Sequence, residues 1–367
     1  MRRLFGIMAG LLLTSAAAAG GVEDHLPRIS TIPEKPSPGN PFELVVKGQW
    51  PDGCPVEVDS VTREDRDITI RVRREAGLIC PAVVRPYELV VDPFPQGVSP
   101  TAGVYRVRFE VLGIDGADNA RLVAFELVPV ANAANPGPRP ESGYWAAEKG
   151  GAFETSGSGI GFDFELQNRI LFIAANLYRD DGQSGWFIAS GVVHGGVMQG
   201  ELLEPKGGQP LFESYRAPRE ISPHARFQAE FTSASTAVFW FSQPEGAGLL
   251  DPLKLMPISV NRFSFGYSDL RNVLAGDWMI AVEGQPAKRV SFNAHRYGAA
   301  NLIGAMDAGF RHELRCPIVQ DKPETLPVRC EYYDNGALIA TLDQVGLQSL
   351  RGRSTNGSAL VLFSRVD

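Results

Sequence analysis

The chain has 367 residues, 44% of them hydrophobic and 21% charged, with 39 Gly, 27 Pro and four Cys. Ordinary apolar content excludes a disordered chain, the modest glycine content excludes a collagen, and sparse cysteine excludes a disulfide-framework miniprotein. A formal charge of −7 with no block of like charge argues against nucleic acid as a partner, because phosphate binding needs a concentrated basic face. At about 100–200 residues per domain, two or three domains are expected.

The first residues have a composition of their own. Arg2 and Arg3 precede an apolar run over 4–13, and Ala17, Ala18 and Ala19 form a small-residue site before Gly20. This order predicts a secretory signal peptide over residues 1–19, cleaved on export. An apolar run of about ten residues is too short to cross a hydrocarbon core of about 30 Å as a helix, so no transmembrane segment is expected after cleavage. The expected location is periplasmic or secreted. An oxidising compartment then lets the four cysteines close as two local pairs, Cys54 with Cys80 and Cys316 with Cys330. Each bridge is expected to contribute about 3 kcal/mol through loop entropy.

Residues 24–130 are written in period two. Ile68, Ile70 and Val72 alternate with Thr69, Arg71 and Arg73, and Tyr105, Val107, Phe109 and Val111 alternate with Arg106, Arg108 and Glu110. Similar runs at 42–47, 87–91 and 122–128, with turn residues between them, predict an immunoglobulin-like sandwich of six or seven strands. Residues 131–142 contain Pro136, Pro138 and Pro140 and are expected to be a linker, because alternate prolines break both helix and ladder.

Residues 143–266 have a different texture. The runs at 170–175, 186–189 and 238–241 are nearly continuously apolar, so both faces of those strands call for burial. The options are a barrel or sandwich packed on a neighbouring module, an oligomer contact, or a lined ligand cavity. Asp181-Gly182, between Tyr178 and Trp186, predicts a tight hairpin. Residues 270–367 are expected to form a smaller β module with the second disulfide. Helix is expected to be minor, since no window after the signal holds a 3.6-residue period.

Several motifs of the middle segment are arranged in a telling order: Gly143-Tyr144-Trp145, Glu154-Thr155-Ser156-Gly157-Ser158-Gly159-Ile160-Gly161-Phe162, Glu165-Leu166-Gln167, Leu171-Phe172, Tyr178-Arg179-Asp180-Asp181-Gly182 and Trp186-Phe187-Ile188-Ala189-Ser190-Gly191. In that order they resemble an uncharacterised secreted proteobacterial β-rich domain family, over about residues 143–265. Ala146 and Gly185 stand where that family has a second Trp and a Pro. The resemblance implies a β-rich secreted module and brings no activity. Residues 42–54, with Cys80 and Ala102-Gly103-Val104-Tyr105, resemble an immunoglobulin-like repeat of bacterial surface proteins. Gly276-Asp277-Trp278 resembles the G-x-W at the start of lipocalin-type barrels, although fewer than about a hundred residues follow, which is short for an eight-stranded ligand barrel.

The chemistry-bearing residues do not converge in the sequence. Ser158 lies in a glycine cluster that imitates a phosphate loop, but the alternation Phe162-Asp163-Phe164-Glu165-Leu166 predicts a strand where a phosphate cradle needs a helix. Asp163 and Glu165 share one face of that strand, about 6–7 Å apart, and could act as paired carboxylates in glycan hydrolysis or simply form its solvated side. His312-Glu313 begins like a zinc motif but has Cys316 at the second histidine's place; His194, His224 and His295 are isolated. Asp115, Asp118 and Asn119 suit an Asx-rich turn at least as well as calcium. No metal and no cofactor are expected.

The candidate ligand-binding residues are therefore aromatic: Trp145, Tyr178, Trp186 and Trp240, with Phe241 beside them. The resulting expectation is an all-β chain, an N-terminal immunoglobulin-like sandwich followed by two β-rich barrel or sandwich modules. Its expected function is that of a non-catalytic exported binding or interaction protein of the bacterial envelope, with a glycan, a lipid or an envelope protein as partner. The alternative is a hydrolase acting on an envelope polymer or glycan through paired carboxylates.

Overall fold

The computed structural model describes residues 26–74, 79–94, 97–113, 119–147, 159–266, 272–296, 302–317 and 326–366. The expected signal peptide over residues 1–19, Ser158, Asp115 and Asp118 lie outside them. Among the described residues the chain is all-β, with no α-helix and hence no helix long and apolar enough to cross a membrane.

Seven strands come first: β1 (Arg28–Ile32), β2 (Glu43–Trp50), β3 (Val56–Glu64), β4 (Asp67–Arg74), β5 (Arg85–Val91), β6 (Gly103–Leu112) and β7 (Arg121–Val130). They form two sheets, in the orders β1-β2-β5 and β3-β4-β6-β7. All neighbours are antiparallel except β4 and β6, which run parallel. The period-two pattern explains the packing: Ile68, Ile70, Val72, Val107, Phe109 and Val111 point inward from the larger sheet and meet Leu44, Val46 and Trp50 from the smaller one. Cys54 and Cys80 are bonded, joining the segment after β2 to the segment before β5.

Eight strands follow: β8 (Gly143–Ala147), β9 (Gly161–Gln167), β10 (Ile170–Tyr178), β11 (Ser184–Val192), β12 (Val197–Lys206), β13 (Glu220–Phe231), β14 (Thr236–Pro244) and β15 (Leu253–Arg262). Each pairs antiparallel with the next, and β15 returns to β8 to close a barrel. The hairpin at Asp181-Gly182 forms as its residues predict: Gly182 has φ +78° and donates to the Arg179 carbonyl at 2.9 Å. The interior of an eight-stranded barrel is just wide enough to be filled by side chains or to hold one small ligand. Here Trp145, Phe162, Phe164, Phe187, Phe227, Phe231 and Phe239 occupy it, with ring centroids 4.8 Å apart for Trp145 and Phe164 and 4.7 Å for Phe162 and Phe239. Each such ring removes about 150–250 Å² from water, about 4–6 kcal/mol of transfer free energy before chain entropy is subtracted. This packing fills the interior of a barrel that has no disulfide of its own.

The last eight strands, β16 (Gly276–Val282), β17 (Lys288–Arg296), β18 (Leu302–Asp307), β19 (His312–Pro317), β20 (Cys330–Asp334), β21 (Ala337–Val345), β22 (Ser349–Ser354) and β23 (Leu360–Arg365), close a second barrel through β23 and β16. The short C-terminal length argued against eight strands around a ligand. The chain nevertheless reaches eight by using strands of five to nine residues, around a core of Trp278, Phe292, Tyr332 and Phe363 instead of a cavity. The Cys316–Cys330 bond joins β19 to the neighbouring β20. Both predicted bridges are thus present, which fits a compartment outside the cytoplasm.

The three units pack on one another. On the first barrel's outside, Trp240 of β14 lies 4.8 Å from Phe125 of β7, with Arg106 over its ring. Around this contact Arg106 grips Glu230 at 2.8 and 2.9 Å, and the Gln228 amide imitates a strand, accepting from Leu127 N and donating to the Phe125 carbonyl. One apolar run that called for burial on both faces, 238–241, receives its second cover from the N-terminal unit. Glu141, at the end of the proline-rich stretch, fixes the second barrel: its carboxylate accepts from the backbone N–H groups of Leu347, Gln348 and Ser349 at 2.8–2.9 Å.

Candidate functional site

The four aromatic candidates have separate fates, decided by which face of the first barrel each occupies. Trp145 is 0% exposed, stacked inside the barrel, with its indole N–H donating to the Glu141 carbonyl at 3.0 Å. Trp240 is 7% exposed and lies in the contact with the N-terminal unit, where its indole N–H reaches Glu230 at 3.3 Å. Phe241 packs against the inner rings Phe162 and Phe227. Tyr178 and Trp186 remain in contact with solvent, 54% and 51% exposed.

Strand register brings these two together. Asn176 is opposite Trp186 and Tyr178 is opposite Ser184, so the rings are diagonal neighbours on the outer face of β10 and β11. The Tyr178 hydroxyl lies over Gly159, whose φ of +92° and close approach both favour a residue without a Cβ. Further along the same face, Glu165, Phe172 and Ser190 form one cross-strand row, and Asp163, Ala174 and Ile188 another. The apolar runs at 170–175 and 186–189 therefore do not find the second cover that their composition called for: Ile170, Phe172, Trp186 and Val192 are exposed among the described residues.

A second group of exposed side chains belongs to the β12–β13 hairpin, which the sequence patterns do not single out. Leu211, Phe212 and Tyr215 project into solvent, Phe212 with 96% of its surface exposed. The loop is nevertheless held in shape. Gln209 donates to the Glu213 carbonyl at 2.7 Å, Arg216 to the Gly208 carbonyl at 3.1 Å, and Arg219 N to the Lys206 carbonyl at 2.9 Å. The one signal for it is Pro210-Leu211-Phe212 inside a Gly- and Pro-bounded loop, where large apolar residues have no core to join.

In an up-and-down barrel successive turns alternate between ends, so the β10–β11 and β12–β13 hairpins share one end. The other end faces the linker, with Gly195 against Pro129 and Glu141 N donating to the Ala234 carbonyl. At the opposite end Glu204 is clamped by Arg179 at 2.5 Å and Lys206 at 2.9 Å, which ties the β10–β11 turn to β12. The hydrogen bonds from Lys206 and Arg179 hold the Glu204 carboxyl below its ordinary range, so it stays charged. The aromatic rim is mounted on a braced frame.

Among the described residues the polar candidates do not assemble into a reaction centre. Asp163 and Glu165 both stand on the convex outside of β9, whereas glycoside hydrolysis sets its carboxylates on either side of the scissile bond. His312 is buried, its Nδ1 2.9 Å from the Tyr332 hydroxyl, and Glu313 is paired bidentately with Arg315 at 2.7 and 2.8 Å. His194 meets Arg169 at 3.2 Å and His224 packs on Phe187, while His295 belongs to β17. A close set formed by Asp52, Cys54 and Cys80 has both sulfurs in the disulfide, which removes them as thiolate ligands. Asn119 is exposed just before β7.

Comparison of the chain with protein-family models, with curated proteins and with solved structures gives no match.

Proposed function

We propose that this chain is an exported, non-catalytic binding or interaction protein of the bacterial envelope, periplasmic or secreted. The aromatic rim of the first barrel is its contact surface. In this reading the N-terminal unit is an immunoglobulin-like spacer, and the first barrel belongs with the secreted proteobacterial β-rich domains that its motifs resemble. One observation carries the reading: inward aromatics fill the barrel and Trp240 is covered by the N-terminal unit, yet Tyr178 and Trp186 stand half exposed on a braced face. Exposed aromatic clusters of this kind mark recognition surfaces in soluble proteins.

Among glycan, lipid and envelope protein, the surroundings suit a glycan best. Flat rings stack on sugar faces, while Asn176, Ser190, Asp163 and Glu165 on the same outer surface offer hydroxyl-binding groups. The test is a thermal-shift screen of the mature protein against envelope polysaccharides, peptidoglycan fragments and lipid vesicles. A stabilising glycan whose effect disappears in Trp186→Ala supports the reading. Absence of any stabilising ligand, or one that stabilises Trp186→Ala equally, overturns it.

A further inference from the structure

The cleft between the two barrels differs chemically from the aromatic rim. It has a volume of about 150 Å³ and is lined by Arg139 from the linker, Ser142 ahead of β8, and Gln344, Ser349 and Arg351 from β21 and β22. Glu141 also lines it, but its carboxylate is already engaged: Oε2 accepts from Leu347 N, and Oε1 from Gln348 N, Ser349 N and the Ser349 hydroxyl. Three successive backbone N–H groups around one carboxylate form an internal anion cradle. Gly346 permits it, because a Cβ there would collide with the Glu141 carboxylate.

With that carboxylate occupied, the positive charges are left in excess. Arg139 donates one hydrogen bond to the Asn168 carbonyl at 2.7 Å. Arg351 is half-buried on β22, and its guanidinium has no hydrogen bond or ion pair among the described residues. Burial, and then the like charge of Arg139, hold down the proton affinity of Arg351, with Glu141 opposing them. A guanidinium kept partly from water beside another guanidinium is costly unless an anion joins them. Its planar fork matches the two oxygens of a carboxylate or phosphate. We propose that this inter-barrel cleft is an oxyanion-binding site in which Arg139 and Arg351 together hold the carboxylate or phosphate group of a small ligand. It lies at the end of the first barrel away from the aromatic rim and does not depend on the rim's function.

Titration calorimetry at constant ionic strength, with sodium phosphate and sodium glucuronate as separate probes, tests the site. The expected result is saturable binding of at least one probe with Kd below about 10 mM, weakened at least about tenfold in Arg351→Gln and in Arg139→Gln. Binding by Trp186→Ala is expected to be unchanged. Saturation by phosphate alone assigns a phosphate ester as ligand, and saturation by glucuronate alone assigns a sugar acid. Arg139 is exposed, so its variant keeps the test valid if Arg351→Gln does not fold. No saturable heat with either probe, or undiminished binding in a folded arginine variant, overturns the proposal.

Discussion

Arg262 lies opposite Trp145 across the seam that closes the first barrel, and Arg365 lies opposite Trp278 across the seam that closes the second. The surroundings repeat as well. Each Trp is two residues after a glycine with φ above +110°, Gly143 or Gly276, and each indole donates at 3.0 Å to the carbonyl four residues earlier. Each Arg donates to the carbonyl just ahead of that glycine, Ser142 at 3.0 Å or Ala275 at 2.8 Å. The two barrels are two versions of one closure device, in which a guanidinium on the last strand locks the backbone leading into the first.

This device predicts a stability effect larger than one surface arginine usually has. Arg262→Ala leaves three carbonyls, those of Ser142, Tyr144 and Phe263, without their charged donor. The expected loss is about 2–3 kcal/mol in urea denaturation of the first barrel, with Arg365→Ala comparable in the second. Lysine should not restore it, because one ammonium cannot span the carbonyls that the fork reaches. Loss of less than about 0.5 kcal/mol in both variants would remove the closure role.

Much of this fold is legible in the amino-acid order alone. Alternation locates β4 and β6, Asp181-Gly182 locates a hairpin, and the cysteine spacing pairs both bridges, because these signals are local. Closure is not legible, since the β8–β15 and β16–β23 pairings join residues far apart and leave no mark on either strand alone. For the same reason Trp145, Trp186 and Trp240 read alike, although strand parity sends one inside, one to solvent and one to an interface. The shared Gly-x-Trp at 143–145 and 276–278 is in plain view. Its meaning depends on arginines at the far end of each module.

The fates of the tryptophans are separable by denaturation. Trp145→Ala empties the middle of an aromatic core and is expected to cost about 3–5 kcal/mol. Trp186→Ala should change stability by no more than about 0.5 kcal/mol, because the residue lies on the outer face with about half of its surface in water. Equal losses for the two would show that Trp186 is structural.

The contact between the N-terminal unit and the first barrel contains a buried charge whose pairing is testable. Burial holds the Glu126 carboxyl above its ordinary range, with Arg226 at 2.6 Å and Gln199 opposing the rise. Arg226→Ala is expected to destabilise the protein by about 2–4 kcal/mol, because it leaves that carboxylate unpaired. Adding Glu126→Gln should recover most of the loss, and a double-mutant cycle measures the coupling. Additive losses would contradict the pairing.

Acid should weaken the second barrel through His312. Burial, followed by the Lys288 charge and assisted by Arg311, holds this imidazole below its ordinary value of 6.5, against the pull of Asp334 and Asp307. The unfolded chain therefore binds the proton first. Stability is full above about pH 6.5 and falls as the pH drops toward the lower folded value. Asp307 and Asp334, both held low in the folded state, add a further loss only in the carboxylate range. His312→Asn should flatten the slope between pH 7 and 5 in thermal melts followed at several pH values. An unchanged slope would place the titrating group elsewhere, with His194 as the next candidate because burial, Arg169 and Lys35 depress it too.

Recognition by the solvent-facing rings of the first barrel can be measured outright. The quantity is the affinity of the protein for isolated envelope polysaccharide, compared with that of the Tyr178→Ala, Trp186→Ala double variant after both are shown to be equally folded. Aromatic residues that carry a contact cost more than about 1 kcal/mol each when truncated, so a loss of at least about tenfold is expected in the double variant. Equal affinity of the two proteins, or no binding by the unaltered chain, would contradict a recognition role for these rings.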